Sequence, residues 1–264
     1  MKVRGSRALG SQGRTGIIPL IGVALFLIGW WAVASMGLVS ALILPSPVRV
    51  LLAAKDVGWP LGGHAAVTTG RILAGLLLGV ALGGSLGLLM QYSRRAYLWL
   101  DGIIESMRPV PPVATVPFFI LIFGFSEMGK LLLVTLGTGL VAVVATIEAI
   151  ERVDVSLVRW GLVCGLSRKE LFWKIIVPAS LPEMRAGVRI AHATAVALVV
   201  VSEFMGARYG LGYLINVSKV TLTTPTIILS IIMLGWVNWI LDLAIRSIFD
   251  KVCFWDVRAK GATL

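Results

Sequence analysis

The sequence predicts an all-α membrane protein of six transmembrane helices with both termini in the cytoplasm, and three observations predict it. Of its 264 residues, 58% are hydrophobic and only 14% charged, whereas a soluble domain carries about a quarter charged residues. Charge is missing from long stretches, each near or above the roughly 17–25 residues that a helix needs to cross about 30 Å of hydrocarbon. The Lys and Arg residues also fall on one side. Segments 1–16, 94–108, 148–186 and 246–264 hold 17 of them, against Arg49, Lys55, Arg208 and Lys219 in 40–70 and 206–219. Cytoplasmic segments collect basic residues in this way. The net charge of +11 is therefore read as membrane orientation, with no nucleic acid as partner. Two cysteines, Cys164 and Cys253, make neither a disulfide framework nor a metal cluster, and His64 and His192 lie too far apart for a metal pair.

The first span, 17–39, follows a cytoplasmic tail, 1–16. Ala32-Val33-Ala34 imitates a signal-peptide cleavage site, but the apolar run continues past it, so retention is expected. The second span, 72–92, carries Gly75, Gly79, Gly83 and Gly87 at four-residue spacing, on one helix face. Small residues let backbones approach in lipid. Packing within the chain is the favoured use, a helix pair between copies the other. The third span, 110–126, is entered through Pro109, Val110, Pro111 and Pro112, which lack three backbone donors and impose an extended backbone. That entry either lines the inner mouth of a path or sets a bend. Gly124-Phe125-Ser126-Glu127-Met128-Gly129-Lys130-Leu131 nearly fits a phosphate-binding loop. Leu131 stands where magnesium would need Ser or Thr, and the segment joins two apolar spans, so it reads as a tight hairpin.

After the fourth span, 131–147, comes the longest cytoplasmic connection, 148–186. Asp154 or Ser156 can cap a short helix with Leu157, Trp160, Gly161 and Cys164 along one face, ended by Gly165. Ser167-Arg168-Lys169-Glu170 reads as a capping box opening a second helix, with Leu171, Phe172, Ile175 and Ile176 on one side and a stop at Pro178. Such a segment is either a docking surface for a cytosolic protein or an element lying on lipid headgroups. The fifth span, 188–205, holds Glu203 near its outer end. Ionisable groups in spans are functional candidates, so Glu203 is either part of an outer gate or a partly hydrated carboxylate bonded to nearby backbone. The sixth span, 225–245, carries Asp242, expected to pair with Arg246 one turn on, before the cytoplasmic tail 246–264.

The 148–186 connection resembles the cytoplasmic loop of permease subunits of bacterial ATP-binding-cassette importers. That pattern runs Glu-Ala-Ala, three residues, Gly, nine residues, Ile, one residue, Leu-Pro. With Gly165 as anchor, Ile175, Val177 and Pro178 stand at the expected offsets, while Arg159, Trp160 and Gly161 replace Glu-Ala-Ala. Leu44-Pro45-Ser46-Pro47, Arg108-Pro109-Val110-Pro111-Pro112, Glu203-Phe204-Met205-Gly206-Ala207 and Gly210-Leu211-Gly212-Tyr213 resemble the nitrate, sulfonate and taurine branch, nearest its taurine-type permeases.

The resemblance implies a type I ABC importer permease fold in the bacterial inner membrane. It implies a second copy of the chain, two ATPase subunits carrying ATP and magnesium, and a soluble substrate-binding protein as partners. No cofactor would be bound by this chain and no catalysis performed by it. It assigns ATPase coupling to Leu157, Arg159, Trp160, Gly161, Cys164, Gly165, Leu171, Phe172, Ile175 and Pro178. The path or gate residues are read as Pro109, Pro111, Pro112 and Glu203. The alternative is a self-sufficient secondary transporter or channel, against which stands the lack of an acidic residue or Lys at any span centre.

Overall fold

Helices in lipid gain nothing by hiding apolar surface from lipid tails, so close packing must hold them together. The computed structural model describes residues 17–37 and 39–255, with 17–20 as backbone alone. The expected tail 1–16, Leu38 and the last part of the expected C-terminal tail, 256–264, lie outside the described residues. Every regular element among the described residues is helical. The contacts divide the chain into two units.

One unit takes the described part of Met1–Gly58 together with Val217–Leu229. It holds α1 (Ile17–Ser35), α2 (Pro47–Val57), the end of α10 (Leu211–Val220) and the start of α11 (Thr224–Val252). The Leu44-Pro45-Ser46-Pro47 run is a helix start. Ser46 Oγ accepts the Arg49 N–H at 3.4 Å, Pro47 occupies the first turn, and Gly58 closes the helix at φ +63°. The Trp30 indole N–H donates to the Pro45 carbonyl at 3.1 Å, and the Thr224 hydroxyl donates to the Leu42 carbonyl.

The larger unit comprises Trp59–Asn216 and Ser230–Leu264, of which residues to 255 are described. Its centre is the pair α3 (Pro60–Tyr92) and α6 (Glu127–Glu151), with α9 (Val177–Phe204) against both. The glycine stripe is the contact. A Cβ on Gly79 would lie 2.9 Å from the Gly139 nitrogen, and one on Gly87 would lie 2.8 Å from Thr146 Cβ. Thr138 adds a hydrogen bond from its hydroxyl to the Gly75 carbonyl at 3.1 Å. The stripe thus serves packing inside the chain. Around it Ile72, Leu76, Leu133, Val134, Leu198 and Val199 form the core.

Four helices among the described residues are long and apolar enough to cross a bilayer, or five when one bent pair is taken as a span. The helix holding the second expected span, α3, begins at Pro60, ahead of residue 72. The sixth extends from Thr224 to Val252. The first expected span coincides with the apolar helix α1, 19 residues long. The bent pair joins α4 (Arg94–Met107) to Pro112–Phe123 at 87°. The latter stretch is a 3-10 turn, Pro112–Thr115, followed by α5 (Val116–Phe123). Gly124, at φ +61°, ends α5, and the Ser126 hydroxyl caps α6 by accepting the Gly129 N–H at 3.1 Å. The segment imitating a phosphate-binding loop is therefore a corner between helices.

The glycine contact yields a direct expectation. Gly79→Ala should lower the thermal stability of the detergent-purified chain by about 1–3 kcal/mol, the usual cost of overpacking. Gly84→Ala, where a Cβ meets nothing closer than 3.8 Å, should be neutral or slightly stabilising because alanine is the better helix former. Equal melting temperatures for the two variants would contradict the packing account.

Candidate functional site

Three places carry the residues singled out in the sequence. The first begins where α6 ends. Asp154 caps α7 (Val155–Val163), its Oδ1 accepting the Ser156 N–H at 2.8 Å, and that bond holds its carboxyl below the usual carboxylate range. The helix ends in a Schellman motif: Leu166 N–H donates to the Gly161 carbonyl and Gly165 N–H to the Leu162 carbonyl. Gly165 sits at φ +74°, where a side chain is strained. Ser167 and Glu170 form the expected capping box, starting α8 (Arg168–Leu171).

The second helix does not stop at Pro178. A widened π turn, Phe172–Ile176, joins α8 directly to α9, so the chain from Arg168 to Phe204 is one continuous helix. The physical reason is local. Pro178 has no N–H to give and its ring would crowd an ordinary turn. Opening the turn just before it, with Val177 N–H bonded to the Phe172 carbonyl, relieves both problems. Pro182 likewise lies inside α9.

The two helices use their apolar residues differently. Gly161, Leu171 and Ile175 come together: the missing Cβ of Gly161 leaves room for Leu171 Cδ1 and Ile175 Cδ1. Phe172, 5% exposed, packs edge-on against Tyr92 at 5.2 Å. Leu157, Arg159, Trp160 and Cys164 are exposed, while Pro178 is half-buried. Trp160 is 68% exposed and Val163, which the sequence pattern did not single out, 84%. Leu171 and Phe172, expected among the coupling residues, are buried and bind the element to its own chain.

The second place is the proline run. Arg108 reaches Glu148 at 3.2 Å, Pro112 lies beside Gly137, and Phe123 lies beside Gly129. Residues 108–123 thus run along α6 from Glu148 to Gly129, about 28 Å at 1.5 Å per residue. Only Pro112–Phe123 is helical. Pro109, Val110 and Pro111 are exposed, and Pro111 is extended at φ −61°, ψ 124°. The prolines do set a bend.

The third place is Glu203. It is 1% exposed, which overturns the expectation of a partly hydrated carboxylate. Arg71 Nη1 donates to it at 2.7 Å, the Thr68 hydroxyl at 2.9 Å and the Gly212 N–H at 2.8 Å. The same Arg71 holds Glu127 through two 2.7 Å bonds, and Lys130 joins Glu127 at 2.8 Å. Thr68 accepts the Leu211 N–H at 2.8 Å, and His64 Nδ1 accepts the Gly210 N–H at 3.0 Å. Gly210, at φ +130°, leaves the space that the carboxyl fills. His64, Thr68 and Arg71 share one face of α3, and together they fasten the turn between α9 and α10. The sequence pattern does not single out Arg71. Its spacing on a face with His64 and Thr68 was the available signal.

On α11, Asp242 pairs with Arg246 at 2.6 Å as expected, and also with Arg189 of α9 at 2.7 Å. Among the described residues no three His, Cys, Asp or Glu side chains gather as a metal site.

A family model described as binding-protein-dependent transport system inner membrane component matches residues 75–252. The chain is 33% identical over 93% of its length to a putative aliphatic sulfonates transport permease protein, SsuC, of Bacillus subtilis, covering 88% of that protein. It is 30% identical to the taurine transport system permease protein TauC of Escherichia coli, over 88% of this chain and 87% of that one. A chain from inward-facing structures of the MetNI methionine ABC transporter superposes with a TM-score of 0.59 at 18% identity, over 73% of this chain and 97% of that one. That last likeness shows the fold.

The buried ion pair predicts strong coupling. Arg71→Gln should destabilise the chain by about 3–5 kcal/mol, the cost of leaving the Glu203 charge buried alone, and Glu203→Gln by less, because Arg71 keeps its bonds to Glu127. The double variant should lose clearly less than the two added together. Additive losses in a double-mutant cycle of detergent unfolding would mean that the two side chains do not act as a pair.

Proposed function

The chain belongs to the family of binding-protein-dependent transport system inner membrane components, and from that premise we propose that it imports taurine or a related aliphatic sulfonate across a bacterial inner membrane. Two copies form the path, each with six spans and cytoplasmic termini. A soluble binding protein delivers the solute outside, and two ATPase subunits carrying ATP and magnesium dock inside. This chain binds no cofactor and does no chemistry itself.

The observation that carries this reading is the exposed apolar face of α7 beside a continuous helix. Leu157, Trp160 and Val163 are exposed on a helix that Gly161 locks to Leu171 and Ile175. An apolar patch of that kind marks a partner surface. Seated in a groove of the ATPase, α7 would pass its movement through Leu171 and the π turn straight into α9. Rigid elements are suited to such rigid-body switching. Arg159 and Cys164 flank the patch and Gly165 shapes its end.

Pro109, Pro111 and Pro112 line the inner mouth. Non-helical backbone at membrane depth requires protein or water beside it, and this stretch is exposed on the single chain. Glu203, enclosed by Arg71 and Thr68, acts at the outer gate as a fastening for the α9–α10 turn rather than as a group touching solute.

Gly165→Asp tests the coupling assignment. It places a side chain at a positive φ, at a cost of about 1 kcal/mol or more, and adds charge at the proposed contact. The spans are untouched, so the chain should insert normally while ATPase copurification and uptake fall together. Trp160→Ala should weaken ATPase binding in the same direction, as truncating an aromatic anchor does. Normal ATPase binding and uptake in both variants would remove this element from the coupling role.

A further inference from the structure

The helix α4 has no role in the reading above, yet its surface is sorted into three strips. Tyr97, Leu100 and Ile104 face the bundle, packing against Met90 and Val143. Beside that strip, Trp99, Ile103 and Met107 are exposed, Trp99 by 81%. The remaining arc carries Arg94, Arg95, Asp101 and Glu105, with Leu98 among them. The apolar arc is thus twice as wide as the bundle covers.

The position of α4 says what meets the uncovered half. Only Ser93 separates it from α3, a helix long enough to cross the bilayer, and its hydroxyl caps α4 by accepting the Ala96 N–H at 3.4 Å. At the other end, Pro112–Phe123 leaves at 87° to re-enter the apolar region. Both ends of α4 therefore lie at one membrane boundary, and its 14 residues, about 21 Å at the standard rise, run along that boundary. Arg94 and Arg95 form no ion pair among the described residues, and the Arg94 guanidinium lies over the Tyr97 ring at 5.6 Å. A further arginine, Arg168, is held at the same corner by its bond to the Tyr92 carbonyl at 3.3 Å.

We propose that α4 is an interfacial helix that seats Trp99, Ile103 and Met107 among lipid acyl chains and holds anionic phospholipid headgroups with Arg94 and Arg95. Amphipathic helices with basic polar faces bind this boundary, and aromatic rings favour it. On the orientation proposed above it is the cytoplasmic leaflet, the one whose surface attracts basic residues. The helix would anchor the α3–α4 corner to the bilayer while neighbouring elements move.

The test uses the full chain, reconstituted without partners into vesicles of phosphatidylcholine alone or mixed with phosphatidylglycerol. Spin labels placed singly at 95, 99, 102 and 103 are read by power saturation with oxygen and with a water-soluble nickel chelate. Positions 99 and 103 should show high oxygen and low nickel access, and 95 and 102 the reverse. High nickel access at 99 and 103 would put the strip in water, and low access to both reagents would put it against protein. Either result overturns the proposal. In addition, Arg94→Gln and Arg95→Gln should each weaken retention of fluorescent phosphatidylglycerol by the purified chain about five-fold, without changing that of phosphatidylcholine. Unchanged phosphatidylglycerol retention would overturn the headgroup assignment. The labelling pattern is the same in either leaflet, so it fails separately from the functional reading.

Discussion

The close approach of α3 to α6 is the constraint on which the larger unit depends. In lipid there is no solvent to drive helices together, so contact area and backbone proximity must hold them. Gly75, Gly79, Gly83 and Gly87 provide that proximity, because a Cβ at any of them would overlap α6. With those backbones fixed, the Thr138 hydroxyl reaches the Gly75 carbonyl. α9 can then close on α6 through Gly137 and Gly187, where Leu198 and Ala145 fill the space.

This rigid trio carries a specialised structure at each end. At one end Arg71 and Glu203 join α3 to α9 and fix the turn into α10, with Glu127 and Lys130 extending the network to α6. At the other, α9 continues without interruption into the π turn and α8, where Gly161 locks α7 in place. α7 is therefore joined by a helical route of 37 residues to the Glu203 network. A π turn inside a helix is rare. Here it carries the helix past Pro178.

Local features were legible in the sequence, and long-range ones were not. The glycine stripe, the Ser167 capping box, the Gly165 helix end and the Asp242–Arg246 pair all depend on residues within a turn or two, and each stands as expected. Two partners of Glu203, Arg71 and Thr68, lie 132 and 135 positions away, and nothing near Glu203 in the sequence reveals them. Nor does an amphipathic pattern say what covers its apolar side. Phe172 and Leu157 look alike in sequence, yet Phe172 packs on Tyr92 and Leu157 is exposed. The stop expected at Pro178 failed for a related reason: a proline forbids the ordinary turn, not a wider one.

The central claim is that this chain moves solute only as part of an ATP-driven assembly. The most direct measurement is uptake of radiolabelled taurine or a short alkanesulfonate into proteoliposomes holding the chain, its ATPase and the binding protein, with and without ATP or an imposed ion gradient. The account predicts accumulation that requires ATP, the ATPase and the binding protein together, and that no ion gradient replaces. Uptake by the chain alone under an ion gradient would contradict it.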